Sequence, residues 1–517
     1  MLKLHHFHGG LRLDGHKAES LNRGLQQASL PERLFLPLRQ HIGDPNKPVV
    51  KVGDRVLQGQ TIAAASSLIC AAVHAPTSGK ISAIESHPIA HPSGQADTCI
   101  VIDVDGEDQA LDPAINDPES LAPEALIEQI CRAGIVGLGG AAFPTTPKLL
   151  RGKAQGIEIL IINGAECEPY ITCDDILMRH RAAEIVRGSG YLQQILSPQT
   201  TYIGIEDNKP EAIAAMRQAL AQHPLPDTEI VSIPTIYPSG GEKQLVQILT
   251  GQEVPHGQLA FDIGLLCQNV GTCVAITQFL EQGRPLISRI VTITGDNISQ
   301  PGNWEVRLGT PISHLIGLAG GYRDSASRHL VMGGSMMGFS LSGGEVPIVK
   351  ASNCIMVMRE ETIPKSPGHH DECIRCGKCT EVCPAQLLPQ QLYWHARAKA
   401  YDRTQEFHLF DCIECGCCST VCPSRIPLVQ YYRAAKSEIR AARKMQIKSD
   451  HARRRFEFRE KRLLLKKQQD EERRRLKREA LEKRKAQSGE TTGSADPVQA
   501  ALDRVKARKK AVQEDSQ

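Results

Sequence analysis

The sequence has no run of about 18 apolar residues, the length a helix needs to cross a bilayer, so no membrane-spanning helix is expected. Its opening, Met1-Leu-Lys-Leu-His-His-Phe, lacks the apolar stretch of about 7–15 residues that marks a secretory signal, and none is expected. No charge of one sign dominates, since the formal net charge is +3 over 517 residues. The 17 cysteines are an odd number, which argues against a framework of paired disulfides. So many free thiols fit a reducing compartment. A chain of this length is expected to fold as three or more domains, each able to bury a core.

Eight of the cysteines fall in two runs. The first is Cys373-Ile-Arg-Cys376-Gly-Lys-Cys379-Thr-Glu-Val-Cys383-Pro384, and the second is Cys412-Ile-Glu-Cys415-Gly-Cys417-Cys418-Ser-Thr-Val-Cys422-Pro423. Each reads C-x2-C-x2-C-x3-C-P, the run that holds a [4Fe–4S] cluster in bacterial-type ferredoxins. Three thiolates two residues apart wrap one face of a cubane, and the proline steers the chain away. In two-cluster proteins the fourth Cys serves the other cluster. The expected ligand sets are therefore Cys373, Cys376, Cys379 and Cys422 for one cluster, and Cys412, Cys415, Cys418 and Cys383 for the other. Zinc is the competing reading of C-x2-C. It does not call for a third Cys and a C-P ending twice in one chain. Cys417 breaks no spacing and reads as a bystander thiol. His369 and His370, just before the first run, read as an exposed approach loop.

The rest of the chain divides by texture. Residues 1–105 are expected to hold an N-terminal segment, with His5, His6 and His8 exposed, followed by short strands. Val50-Lys-Val-Gly53-Asp54 and Val73-His-Ala-Pro76-Thr-Ser-Gly79-Lys80 resemble the small barrel of biotinyl and lipoyl carrier domains. Lys80 lacks the flanking residues of a carrier lysine, so the barrel reads as scaffold. Residues 106–120 are acidic and read as a linker. Residues 121–285 alternate helix and strand, the βαβ pattern of a parallel sheet with a site at its strand C-termini. Residues 286–350 read as strands and a short helix. Gly333-Gly-Ser and Met336-Met337 make a flexible stretch in which the methionines fill a core. Residues 360–435 hold the cysteine runs. Residues 436–517 are dense in alternating charge and read as a solvated helix with a disordered end.

Four polar, glycine-rich pieces lie at the expected strand ends. They are Gly137-Leu-Gly139-Gly140-Ala-Ala-Phe143-Pro-Thr-Thr-Pro-Lys148, Asn163-Gly-Ala-Glu166-Cys-Glu168-Pro169, Tyr237-Pro-Ser-Gly240-Gly-Glu242 and Asn269-Val-Gly-Thr272. Glycines let a backbone approach a phosphate closely, and a helix N-terminus offers free N–H groups. In this order the pieces resemble the flavin-binding subunit of respiratory complex I and NAD-linked hydrogenases. That resemblance implies that Gly137, Gly139, Gly140, Lys148, Asn163, Glu166, Gly240, Asn269 and Thr272 hold FMN. It places Phe143, Glu168 and Glu242 near a nicotinamide ring. The chain departs from the family at Leu138, Ala165 and Gly241. Cys167, Cys173, Cys267 and Cys273 fit no cluster spacing and read as reduced thiols near the site. Residues 286–350 resemble the β-grasp domain that follows the flavin domain in the same subunit.

The order of parts is barrel, Rossmann-like flavin-type α/β domain, β-grasp, two-cluster ferredoxin domain and basic tail. It resembles the RnfC family, a component of Rnf-type ion-translocating oxidoreductase complexes. The resemblance implies FMN, two [4Fe–4S] clusters and exchange with NAD(H) or ferredoxin. It also implies a peripheral place on the cytoplasmic side of the inner membrane, among integral and peripheral subunits. Two other readings stay open: a soluble NADH dehydrogenase subunit without pumping, and an iron–sulfur relay whose nucleotide site has decayed. The basic tail suits contact with anionic lipid. Nucleic acid is not an expected partner, because no aromatic platform accompanies the charge.

Overall fold

Residues 33–104 form short antiparallel strands bounded by Gly, Pro and Asp, and three of their five pairings join strands that are not consecutive in the chain. The computed structural model of the chain describes residues 2–113, 117–326, 328–362, 371–487 and 496–514. His369 and His370 lie outside the described residues. Arg33–Pro37, Ala96–Val104, Gly79–Pro88 and Arg55–Val56 form one antiparallel sheet. Lys47–Pro48, Thr61–Ala64 and Val73–His74 form another. Leu34, Leu36, Ile62, Ile81, Ile100 and Ile102 are fully buried. Lys80 lies within the strand Gly79–Pro88, opposite Arg55 and Asp103, and not at a hairpin tip.

The next region is a parallel sheet in the order Thr228–Ile233, Thr200–Glu206, Ile159–Gly164, Leu265–Asn269. A strand covered on both faces needs a continuous apolar run, and Ile159-Leu-Ile-Ile supplies it. Leu160 and Ile162 enter one core while Ile161 enters the other. The chain adds strands outward on one side of Ile159–Gly164, then returns to its other side with Leu265–Asn269. Their shared C-terminal end is the switch point where ligands bind in open α/β sheets.

The third region is a mixed six-stranded sheet: Leu25–Gln27, Gly302–Arg307, Ser288–Thr294, Cys354–Met358, His329–Met332, Phe339–Ser340. It reaches past residue 350 and takes an edge strand from the N-terminus. Trp304, Val291 and Ile293 share one buried cluster with the barrel residues Leu34, Ile81 and Ile102. Barrel and six-stranded sheet therefore have a common core.

The N-terminal segment is not the exposed stretch its composition suggests. Leu2, Leu4 and Phe7 pack on the parallel-sheet core, and Leu11 and Leu13 pack beside Tyr237 and Cys415. Burying these apolar groups draws the segment down. Lys350 joins three regions at a point with no solvent access. Its Nζ donates to Ala72 O at 2.6 Å and to Gly134 O at 2.7 Å. Burial lowers its pKa to about 7.

Residues 1–436 and 437–517 are separate compact units. The helix Leu428–Gln487 begins in the first and makes up most of the second. Residues 437–487 carry 20 Lys and Arg against 9 Asp and Glu. Pairs such as Arg453–Glu457 at 3.8 Å run along its surface. Pro497–Glu514 is helical where a disordered end is expected from sequence, and Ala, Lys and Arg favour that outcome.

Trp304→Ala is expected to cost about 3–5 kcal/mol, and the shared core should make barrel and six-stranded sheet melt together in urea. Lys350 is charged in the unfolded chain up to about 10.5 and loses its proton near 7 in the fold. The unfolded state then holds more protons between those values, so this residue makes stability rise with pH across that window. Lys350→Met should flatten the rise, read from urea midpoints at the two ends of it.

Candidate functional site

Asn163, next to last in its strand, and Asn269, last in its own, are direct register partners at the switch point. Around them the four glycine-rich pieces converge. Asn163 Nδ2 donates to Gly240 O at 2.9 Å. Asn269 Nδ2 donates to Asp174 Oδ2 at 2.7 Å, and its Oδ1 accepts from Gly271 N at 2.8 Å. Leu138 N donates to Thr272 Oγ1 at 3.0 Å. Gly137 N donates to Phe143 O at 2.7 Å, closing the first loop. Gly139 and Gly140 face solvent at its crest. Gly140 has φ +110°, open to glycine alone without strain, and a Cβ on Gly139 would meet the Asn269 side chain at 3.4 Å. Lys148 Nζ donates to Glu242 Oε2 at 2.8 Å and Cys267 O at 2.5 Å. Burial opposes its charge, but Glu242 and Cys267 outweigh that and raise its pKa.

Glu166 caps the helix Cys173–Leu196 by accepting from Asp174 N at 2.6 Å and Asp175 N at 3.1 Å. Burial pushes its carboxyl up to about 8. Glu168 has a different setting from Glu242. Its Oε1 accepts from Met336 N at 2.7 Å and Met337 N at 2.9 Å, which ties it to the Gly333–Gly338 loop. Burial pushes the thiols of Cys167, Cys267 and Cys273 up to about 12 and also raises that of Cys173 well above the ordinary thiol value. None of these four is in a disulfide.

The cysteine runs form two cavities. Cys373, Cys376, Cys379 and Cys422 line one, with Arg375 and Trp394. Cys383, Cys412, Cys415 and Cys418 line the other, with Leu387, Leu392 and Tyr432. Each cavity thus takes three cysteines from one run and one from the other. Cys417 is fully buried and lines the second cavity too. A side-chain hydrogen bond with Cys417 lowers the Cys415 pKa. Tyr237 donates its hydroxyl to Cys415 O at 2.6 Å. His8 Nδ1 is 2.9 Å from Cys383 O, and Lys436 donates to Cys412 O at 2.6 Å. The second cavity therefore abuts the glycine-rich loops. Met336, one of the expected gap-filling methionines, packs there with Tyr237, Cys167 and Cys417.

Several residues carry no signal in the sequence. Lys17 Nζ donates to the carbonyls of Glu166, Glu168 and Ile171 at 2.7–3.1 Å. It steadies a loop in which Glu166 and Tyr170 are left-handed, with φ +49° and +69°. Lys209 and Glu206 form a fully buried pair at 2.7 Å. Lys209 also reaches Ala165 O, and Glu206 accepts from Ser239. Arg289, from the six-stranded sheet, donates to Leu138 O at 3.0 Å. It brings a cation to the loop at Leu138. A single polar residue has no periodicity, and apart from the Lys209–Glu206 pair these contacts act across long stretches of chain.

Three polar atoms beside the site lack partners. Thr145 Oγ1, Gln244 Oε1 and Gln268 Nε2 flank these loops, are buried, and have no hydrogen-bond partner among the described residues. Buried orphans of this kind are uncommon. One cavity wall offers four thiols and the other five, enough in each for the four irons of a cluster.

Family models match four regions. Residues 5–107 match the RnfC barrel sandwich hybrid domain and residues 130–278 the Nuo51 FMN-binding domain. Residues 290–340 match the SLBB domain and residues 372–426 the 4Fe-4S dicluster domain. These matches assign FMN and [4Fe–4S] clusters to the chain. An RnfC protein of the ion-translocating oxidoreductase complex of Pseudomonas aeruginosa is 48% identical over 532 residues, covering 99% of this chain and 66% of that protein. Its counterpart from Serratia proteamaculans is 48% identical over 504 residues, covering 97% and 69%. The chain thus spans about two thirds of the length of these relatives. A solved NAD+-reducing [NiFe]-hydrogenase matches with TM-score 0.44 and 17% identity over 66% of this chain and 72% of that one, too slight a likeness to carry an argument.

Breaking a buried ion pair leaves an uncompensated charge. Lys209→Met should therefore destabilise the protein by about 3–5 kcal/mol in a urea titration, whereas the double variant Glu206→Leu with Lys209→Met should recover much of that loss.

Proposed function

The chain belongs to the RnfC family of ion-translocating oxidoreductase complexes, and from that premise we propose that it carries electrons between NAD(H) and the other subunits of such a complex, peripherally, on the cytoplasmic side of the inner membrane. Ferredoxin-type carriers are the proposed electron partners at the far end. The observation that carries this reading is the contact of Tyr237 with Cys415, which sets the glycine-rich site against the second cysteine cavity.

Bound FMN supplies the exchange between a two-electron hydride carrier and one-electron clusters. Gly139 and Gly140 would give it backbone N–H groups and Lys148 a cation beside them, while Gly137, whose N–H closes the loop on Phe143 O, would hold that loop in shape. Asn163, Gly240, Asn269 and Thr272 fix the loops about it through the bonds described above. Glu166 keeps the helix start and the Asn163–Pro169 loop in register. Phe143 and Glu242 would face the nicotinamide. Glu168 is held to Met336 and Met337, so its support for a nicotinamide is indirect, through the loop it orders. The cluster held by Cys383, Cys412, Cys415 and Cys418 is then the nearer to the flavin. The cluster of Cys373, Cys376, Cys379 and Cys422 is the farther, and its Cys376 is exposed, as an exit toward a partner requires. The tail's excess of basic residues supports attraction to anionic lipid, since each near the surface contributes about 1 kcal/mol.

A relay with a decayed nucleotide site is the second reading, favoured by Gly241 in place of an acidic residue and by the engagement of Glu168. Anaerobic titration with NADH separates the two. Under the first reading flavin absorbance bleaches and cluster absorbance then falls. Clusters that respond to dithionite but not to NADH would leave the relay. Tyr237→Phe removes one hydrogen bond and keeps the ring. It should lower stability by only about 1 kcal/mol while slowing cluster reduction severalfold relative to flavin reduction in stopped flow. Lys148→Ala should lower the FMN content of the purified protein and leave its iron content unchanged.

A further inference from the structure

One group of metal-ligating side chains has no part in the sites above. His256 lies in the loop between the helix Glu242–Thr250 and the 3₁₀ turn Ala260–Ile263. His408 precedes the 3₁₀ turn Leu409–Asp411, which leads into Cys412. In a 3₁₀ turn the side chains at i and i+3 stand one over the other. His408 and Asp411 have that spacing and form one edge of the group. His256 completes it from more than 150 residues away.

The atoms converge. His256 Nδ1 meets Asp411 Oδ2, and His256 Nε2 is 3.3 Å from His408 Nδ1. One ligand atom from each of the three lies within 4.8 Å of the others. Lys243 Nζ is 3.8 Å from the other carboxylate oxygen, Oδ1, so it steadies Asp411 without occupying Oδ2. Both histidines are exposed while the Asp411 side chain is 19% exposed. The group is thus anchored on one side and open to water on the other.

We propose that His256, His408 and Asp411 form a divalent-metal site of the class zinc takes, with two imidazole nitrogens, one carboxylate oxygen and water as the fourth ligand. Zinc accepts that N/O set in a tetrahedral arrangement, and an open position is usual where solvent reaches the ion. A hydrogen-bonded Asp–His–His chain is the competing account. It satisfies the same three side chains but holds no ion. The site would tie the loop after Glu242–Thr250 to the segment leading into Cys412. It would also set a divalent charge one residue from that cysteine. Positive charge near a cluster favours its reduced form, so metal binding should raise the potential of the cluster that Cys412 serves.

The test uses full-length protein, anaerobically purified with its iron complement intact. It is equilibrated with Zn2+, desalted, and measured for zinc and iron by mass spectrometry. His256→Ala and His408→Ala are compared with wild type and with His91→Ala, a control on the barrel surface. We expect wild type and control to retain one zinc more than either site variant. The zinc-edge absorption spectrum of that ion should show nitrogen and oxygen neighbours. EPR-monitored redox titration should show one cluster's potential rising with zinc in wild type and control only. Equal zinc in all four proteins, or an all-sulfur shell, overturns the proposal. Zinc content does not depend on flavin or NADH, so failure here is distinct from failure of the electron-transfer reading.

Discussion

The hydrogen bond from the Tyr237 hydroxyl to the Cys415 carbonyl is the joint on which the arrangement turns. Electrons pass between cofactors only if the intervening protein keeps them close and dry. A buried tyrosine meets both demands, since its ring excludes water and its hydroxyl fixes a backbone position. Other ties back it up. Glu168 holds the loop that carries Met336, His8 reaches the Cys383 carbonyl, and Arg433 bonds both Glu414 and the Met337 carbonyl. Most of these ties are anchored outside the cysteine runs. The cysteines shape the cavities, and the rest of the chain decides where the cavities sit.

Buried charge is handled in the same region by close matching. Glu166, Glu168 and Asp174 are carboxyls that burial drives toward the protonated form. Lys17, Lys209 and Arg289 stand among them, each engaged with backbone carbonyls. Such a set favours one arrangement over others more than it adds stability, because desolvation offsets much of the attraction. Here it holds a loop with two left-handed non-glycine residues, a conformation that would relax without it.

Much of this was legible in the sequence where a pattern repeats or where chemistry fixes a spacing. The paired cysteine runs and the interleaving of their fourth members appear as cavity walls. The strand Ile159–Gly164 and the crossing helices followed from apolar runs and their periods. The N-terminal segment was not legible. Its Leu and Phe residues are too sparse for a periodic signal, and their partners lie hundreds of residues away. Lys17, Arg289 and Lys350 were missed for the same reason: a lone cation in sequence looks like surface, and only the fold shows what it faces.

The interleaving of the two cysteine runs also bears on how the protein is made. The wall that contains Cys373, Cys376 and Cys379 is incomplete until Cys422 has left the ribosome, while Cys383 waits for the second run. Neither cavity can close before the second run is made. Filling the two should be nearly simultaneous, a single late event in the life of the nascent chain. A protein arrested between the runs would offer the cell's assembly machinery three unfinished thiols and nowhere to set a cluster.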